Sequence, residues 1–463
     1  MSKTDSLQQQ LTDYACGFDY GLIPPEAVLE AKLRIADTLG ALMAGYSGEV
    51  AHIARELAGE MPVAAGAKGA TLIGTRTRTR TSPEMAAFVN AITARSAEMM
   101  DVYHYPGAFG GHPSDVVMPT IAAAEYAQAS GRELVAAIVL AYEVFLSFSN
   151  VFRNNGFDDT NFGCLATAIS ASRLWKLSRQ QTAHAIAMAV VPNVALKQVR
   201  TDELTSWKVV ATGHAARAGL FAAMLARQGL EGPNLPFEGK AGWLDHVARE
   251  RFLLPAMGGK DISFKILDTR IKMRPCAGET ISSVLAAEKL YGKVGDIKTV
   301  KSVHVDLYKR AVERAATGEH HWNPKGRDAA ANAIPYLIAT AMKEGTIGLD
   351  SFDEAHLQDA GTHALMQKIK IVENPEFTKT YPADHRTRIT VVTGEGREVA
   401  GESGGGEDDL SAPKSQAQIA DKFRRLTESS LGRQRADVLL ERLWAIEQVA
   451  DVGGIVVELA ARG

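Results

Sequence analysis

The sequence predicts a mainly α-helical protein, on three observations. Apolar residues recur at helical spacing from the N-terminus to about Leu267, period-two segments are confined to a stretch beginning near Asp268, and helical spacing returns in the tail. At 463 residues, 46% of them hydrophobic, the chain has room for two or three domains and a substantial buried core. The two helical segments of the tail would bury little surface alone, so they are expected to rejoin the first part. The implied division is a large all-α domain made by both chain ends, 1–267 and 405–463, and a smaller α+β domain, 268–404.

Taken in order, Pro24 and Pro25 precede EAVLEAKLRIADTLGALMAG, where Val28, Ile35, Leu39 and Leu42 fall close to one face and Gly45 follows as a stop. This predicts a buried amphipathic helix. The run TRTRTRT, Thr75 to Thr81, reads as a solvated hairpin or loop, because its arginines alternate without the aromatics that a single-strand binder interleaves. SPEMAAFVNAITARSAEMM, MPTIAAAEYAQAS, RELVAAIVLAYEVFLSFS and the run from Ser206 through Gln228 each predict a helix, the last with alanines that allow close contacts. In TVKSVHVDLY, Val303, Val305 and Leu307 alternate with His304 and Asp306, which predicts a strand; KIKIVEN and RITVVTGEGREV repeat the signal, the second turning at Gly394 to Gly396. ETISSVLAAEKL and RDAAANAIPYLIATAMKEG are the helical stretches among these strands. GESGGGEDDLSAP reads as a flexible polar loop, and AQIADKFRRLTESS and RADVLLERLWAIEQV return to helical spacing. No internal repeat is visible.

Composition excludes several classes of function. Lysine plus arginine number 51 against 54 acids, a net charge of −3 that attracts no polyanion, so nucleic acid is not expected as a partner. Cys16, Cys164 and Cys276 are far apart and form no CxxC pair, which suits a reducing compartment and suggests neither a disulfide framework nor a zinc site. His320-His321 with Trp322 has no third ligand at suitable spacing, and Gly404 to Gly406 lacks the GK[ST] that completes a phosphate cradle. The start, MSKTDSLQQQ, is polar, and the run AIAMAVVPNVAL is short and split by Pro192. A cytoplasmic protein that needs no metal, cofactor or membrane is the expectation.

Chemistry centres on GGHPSD, Gly110 to Asp115. Its glycines permit unusual backbone angles, Pro113 restrains His112 to extended geometry, and a helix begins just after. A helix start gathers anions through its free amides, so an anionic substrate beside His112 is physically reasonable.

In order along the chain, ADTLGALMAG, TLIGTRTRTRTSPEMAAFVNAITARSAEMMD, GGHPSDVVMP, RTDELTSWKVVATGHAARAGLFAAMLARQGLEGPNLPFEGKAGW, DTRIKMRPCAG, HWNPKGRDAAANAIPYLIATAMKEGTI and SQAQIADKF resemble the MmgE/PrpD family. That family includes 2-methylcitrate dehydratases, cis-aconitate decarboxylases and iminodisuccinate epimerases. The resemblance implies a helical domain from both chain ends with an α+β lid. It implies active-site roles for His112 and Asp101, and for lysines matching Lys208 in SWK and Lys272 in RIKMRP. The chain departs from the family pattern at Val102-Tyr103-His104-Tyr105, at NGFDDT, where Asp158 and Asp159 stand in place of a histidine, and at Pro275-Cys276-Ala277-Gly278-Glu279; these positions bear on the substrate.

The family's reactions move a proton or carboxyl group beside a carboxylate, which requires a base near neutral pKa and cations for the developing charge. His112 suits the first task; Lys208, Lys272 and Arg200 suit the second and would also bind a polycarboxylate substrate. For dehydration, His104, Tyr103 or an Asp158 of raised pKa would protonate the departing hydroxyl. The reading is a lyase of the 2-methylcitrate dehydratase type acting on a di- or tricarboxylic acid. An epimerase or decarboxylase on a related polycarboxylate, and a non-catalytic metabolite-binding homologue, are the alternatives. The resemblance and the alanine-rich helices, whose apolar surface exceeds what one layer covers, also imply a homodimer.

Overall fold

The computed structural model describes residues 4–64, 66–406 and 409–460. It is 56% helical and 8% strand. Two compact units divide the chain: Met1–Asp202 with Ser206–Thr269 and Ser415–Gly463, and Arg270–Lys414 with Glu203–Thr205.

The first unit is built of helices. They are α1 (Ser6–Gly17), α2 (Pro25–Gly45), α3 (Glu49–Gly59), α4 (Pro83–Arg95), α5 (Val117–Ala127), α6 (Gly131–Val151), α7 (Thr160–Leu174), α8 (Arg179–Val190) and α9 (Trp207–Arg227). Pro25 at the first position and Glu26 in the first turn start α2, and Val28, Ile35, Leu39 and Leu42 are all buried on it. Ser130 and Glu133 form a reciprocal capping box that fixes the start of α6. α9 packs on α4 and α7, and Gly213 makes the approach to α4 possible, since a Cβ there would stand 2.7 Å from the Phe88 carbonyl oxygen. α6 and α9 are long and apolar enough to cross a membrane, yet 89% and 61% of those apolar stretches are buried within the fold, as in core helices. The TRTRTRT run ends in a hairpin, Arg80–Thr81 pairing antiparallel with Ala70–Thr71, with Arg76, Arg78 and Arg80 exposed.

In the second unit, β1 (Ser302–Leu307) and β2 (Ile369–Glu373) run parallel, while β3 (Thr387–Val392) pairs antiparallel with both β1 and β4 (Glu398–Ser403). The sheet order is β2-β1-β3-β4. Val303, Val305 and Leu307 are buried, as their alternation requires. α10 (Ile281–Glu288) packs on β3, β4 and α11 (Ile334–Glu344).

Two expectations are corrected here. RDAAANAIPYLIATAMKEG is not one helix but a turn at Arg327–Ala330 followed by α11, because Pro335 cannot sit inside a helix and instead opens the second one. GESGGGEDDLSAP is not loop throughout: Gly401, Glu402 and Ser403 complete β4, while Glu407 and Asp408 lie outside the described residues. The tail of the first unit holds α12 (Gln416–Leu431), started by a Ser415–Gln418 capping box and packed on α2, and α13 (Arg433–Trp444).

Candidate active site

The loop that carries His112 is shaped by its ends. Tyr103 and Gly111 form an antiparallel bridge, with the Tyr103 N–H donating to the Gly111 carbonyl at 3.0 Å, so the chain doubles back and sets Asp101 beside His112. Gly111 has φ +132°, and a Cβ there would meet Asp159 Oδ2 at 2.7 Å, so no other residue fits.

His112 is half-buried, and its Nδ1 lies 3.0 Å from the Asp101 carbonyl oxygen. A carbonyl only accepts, so in the neutral ring Nδ1 carries the proton and Nε2 the basic lone pair. The His112 backbone N–H donates to Asp159 Oδ2 at 3.1 Å, which ties the loop to the start of α7.

Asp101 is completely buried. Its Oδ2 accepts from Arg34 Nε at 3.1 Å and from the Tyr142 hydroxyl at 2.9 Å, and its Oδ1 accepts the Ser114 N–H at 2.9 Å. The expectation of a substrate anion at this helix start is therefore corrected at Ser114, whose amide is already taken by an internal carboxylate. Asp101 holds the loop and orients the imidazole through its own carbonyl.

Lys208, in the first turn of α9, is only 5% exposed. Its Nζ and Arg95 Nη1 donate to the same oxygen, Glu98 Oε2, each at 3.0 Å. Arg95 Nε also stands 3.8 Å from Asp115 Oδ1, and the Thr212 hydroxyl donates to Asp115 Oδ2 at 2.9 Å. Burial pushes the Asp115 carboxyl up to about 7; Arg95 opposes the rise, nearby Asp159 adds to it, and Arg200 opposes it again.

Asp158 does not have the raised pKa expected of a proton donor. Burial favours its neutral form, but Arg200 Nε at 2.8 Å and Lys197 Nζ at 3.5 Å outweigh burial and hold the carboxyl below its ordinary range. Arg200, expected to bind substrate, spends its Nε on Asp158 and stands 3.7 Å from Asp159 Oδ1. Tyr103 is also corrected: its buried hydroxyl donates to Asn150 Oδ1 at 2.8 Å, and burial raises the phenol further from any working range. His104 is half-buried within the loop closed by Tyr103 and Gly111. Lys272 belongs to the second unit, where it is buried and donates to the Cys276 carbonyl at 3.0 Å.

Within the first unit the structure thus brings together His112, Asp101, Lys208, Arg200 and Asp158. It adds Arg34, Arg95, Glu98, Asp115, Tyr142 and Asp159. Among the described residues, the buried atoms Arg95 Nε and Nη2, Arg200 Nη2, Ser114 Oγ and Asp115 Oδ1 have no hydrogen-bond partner. Buried guanidinium donors left open in this way are where water or a ligand's oxygens are held.

The raised Asp115 makes a prediction. Between its ordinary value of 3.8 and about 7, the folded state binds a proton that the unfolded state has lost, so this group's contribution to stability falls as pH rises through that window. Asp115→Asn keeps the Thr212 contact without the charge. Urea unfolding at pH 5 and pH 8 should show a fall in wild-type stability that is smaller in the variant by on the order of a few kcal/mol. An equal fall in both proteins would show that Asp115 does not titrate there.

Residues 9–253 match the MmgE/PrpD N-terminal domain, and residues 275–446 match the MmgE/PrpD C-terminal domain. The chain is similar to a cis-aconitate decarboxylase-like protein of Aspergillus oryzae, 24% identical over 407 residues that span 81% of this chain and 81% of that protein. It is similar to the cis-aconitate decarboxylase of Homo sapiens, 24% identical over 461 residues, 94% of this chain and 90% of that protein. It is also similar to the mitochondrial 2-methylcitrate dehydratase of Yarrowia lipolytica, 25% identical over 407 residues, 83% of this chain and 76% of that protein.

Proposed function

We propose, from the premise that the chain belongs to the MmgE/PrpD family, that it is a cofactor-free lyase of the 2-methylcitrate dehydratase type acting on a di- or tricarboxylic acid. The observation that carries this reading is His112, fixed by Asp101 in the tautomer that leaves Nε2 basic, in a unit that also buries Lys208, Arg95 and Arg200 around open hydrogen-bond donors.

In the proposed reaction Nε2 takes the proton from the carbon beside a substrate carboxylate. Negative charge grows on that carboxylate as the C–H bond breaks, and the Lys208 and Arg95 cations stabilise it. The β C–O bond then breaks, the double bond forms, and the departing hydroxide takes a proton and leaves as water. Asp115, held near neutrality by burial, is better suited than Asp158 to keep such a proton, and His104 stands as the other donor. Lys272 enters this reading through its match to the family's lysine.

Decarboxylation is the second reading, favoured by relatives named cis-aconitate decarboxylase that span 81% and 94% of the chain. There the bond that breaks joins a carboxylate to the chain, and the protonated imidazole returns a proton to carbon. Incubating the purified protein with 2-methylcitrate, citrate, cis-aconitate and iminodisuccinate, with alkene absorbance, CO2 release and optical rotation as readouts, decides among these. Alkene formation from a hydroxy acid is the expected result. CO2 release from cis-aconitate alone selects the second reading, and turnover of iminodisuccinate alone overturns both.

A further inference from the structure

We propose that Lys422, on α12 in the C-terminal segment, is a positioning residue for His112 and acts through the stretch Met99–Asp101. The proposal rests on the reading of His112 as base, and its test is separable from that reading.

The Lys422 side chain is 1% exposed. Its Nζ donates to Asp37 Oδ1 at 2.5 Å and to the Met99 carbonyl at 2.6 Å. Asp37 lies one turn after Arg34 on α2, and Arg34 Nε reaches Asp101 Oδ2 at 3.1 Å. One short stretch is thus gripped at two places from the α2–α12 pair: the carbonyl of residue 99 by Lys422 and the carboxylate of residue 101 by Arg34. The carbonyl of Asp101 is the one that accepts the hydrogen bond from His112 Nδ1 at 3.0 Å. A change in the backbone angles of residues 99 to 101 would turn that acceptor away and release the ring to its other tautomer.

Stability alone does not account for the arrangement, since an apolar pair of similar volume is often as stable as a buried ion pair. Burial lowers the Lys422 pKa and raises that of Asp37, each change opposed by the partner's charge, so both groups are held at a cost. Charged groups acting on Lys422 include Asp37 on α2, Asp101, and Arg425 on its own helix. At His112 the ring meets the Asp101 carbonyl, and the backbone amide donates to the Asp159 carboxylate.

The test uses the full chain with histidine rings labelled with 15N, the His112 signals being identified by their loss in His112→Asn. Wild type should show His112 protonated at Nδ1 when neutral. Lys422→Met should show a mixture of tautomers, an altered acid limb in the pH profile of kcat, and kcat lowered about tenfold with KM within about twofold. Because Lys422→Met strands Asp37 without its partner, the double variant Asp37→Asn/Lys422→Met, which removes both charges, is measured beside it. It should melt near wild type and still show the mixed tautomer. A folded double variant with the wild-type tautomer and pH profile would overturn the proposal. If instead His112→Asn keeps its turnover, the reading of His112 as base fails, while the 15N spectra still decide whether Lys422 positions the ring.

Discussion

Replacing His112 by asparagine is expected to lower kcat by about 10²- to 10⁴-fold while KM changes by less than about threefold, the signature of losing a proton acceptor. Asparagine keeps an N–H that can donate to the Asp101 carbonyl, and the backbone N–H that donates to Asp159 is untouched. The loop should keep its shape, and the melting temperature should stay near wild type. What the variant lacks is the lone pair at Nε2. The limb of the pH–rate profile that falls on the acid side, where the imidazole takes a proton, should vanish with it. Retention of more than about a tenth of wild-type kcat, a loss under about 1.4 kcal/mol, would show that His112 is not the essential base and would move attention to His104.

The parts of this molecule that could be read from the sequence are those whose cause is local. The strand at Ser302–Leu307 carries its burial pattern in its own periodicity, and the helix at Pro25–Gly45 its existence, although Leu33 to Met43 are buried on every face rather than on one. The end of β4, Gly401 to Ser403, did not, because an edge strand gains its order from hydrogen bonds to β3 and tolerates the glycine and polar residues that mark a loop elsewhere. The same limit runs through the site. GGHPSD announced a stiff histidine loop, since glycine and proline act on their own neighbours. The ion partners did not announce themselves: Glu98 and Lys208 are 110 positions apart, and Asp158 and Arg200 are 42 apart. That separation is why the sequence alone predicts the Asp158 carboxyl above its ordinary range, whereas it lies below. A carboxyl in an apolar setting is expected to rise, and only the fold shows that two cations reach it. Arg34 gave no signal at all, because an arginine within an amphipathic helix reads as solvated until Asp101 is seen beside it.

Lys208→Met is the complementary experiment, and it should lower kcat/KM by about a hundredfold or more, divided between a higher KM and a lower kcat. The division follows from charge. An ammonium near the substrate's carboxylate attracts the ground state, and attracts more strongly the transition state in which further negative charge has grown. Stability should suffer less than for most buried ion pairs, where removing one partner costs about 3–5 kcal/mol. Glu98 keeps Arg95, which donates to the same oxygen at the same 3.0 Å as Lys208, so the carboxylate is not left uncompensated. Lys208 and Arg95 share one Glu98 oxygen, and Arg95 also stands 3.8 Å from Asp115 Oδ1. Lys208→Arg should not rescue activity, because the planar guanidinium fork is wider than an ammonium in a site only 5% exposed. If Lys208→Met lowers the melting temperature and leaves kcat/KM of the folded enzyme intact, Lys208 is a structural partner of Glu98, and the substrate's charge must be met by Arg95 and Arg200.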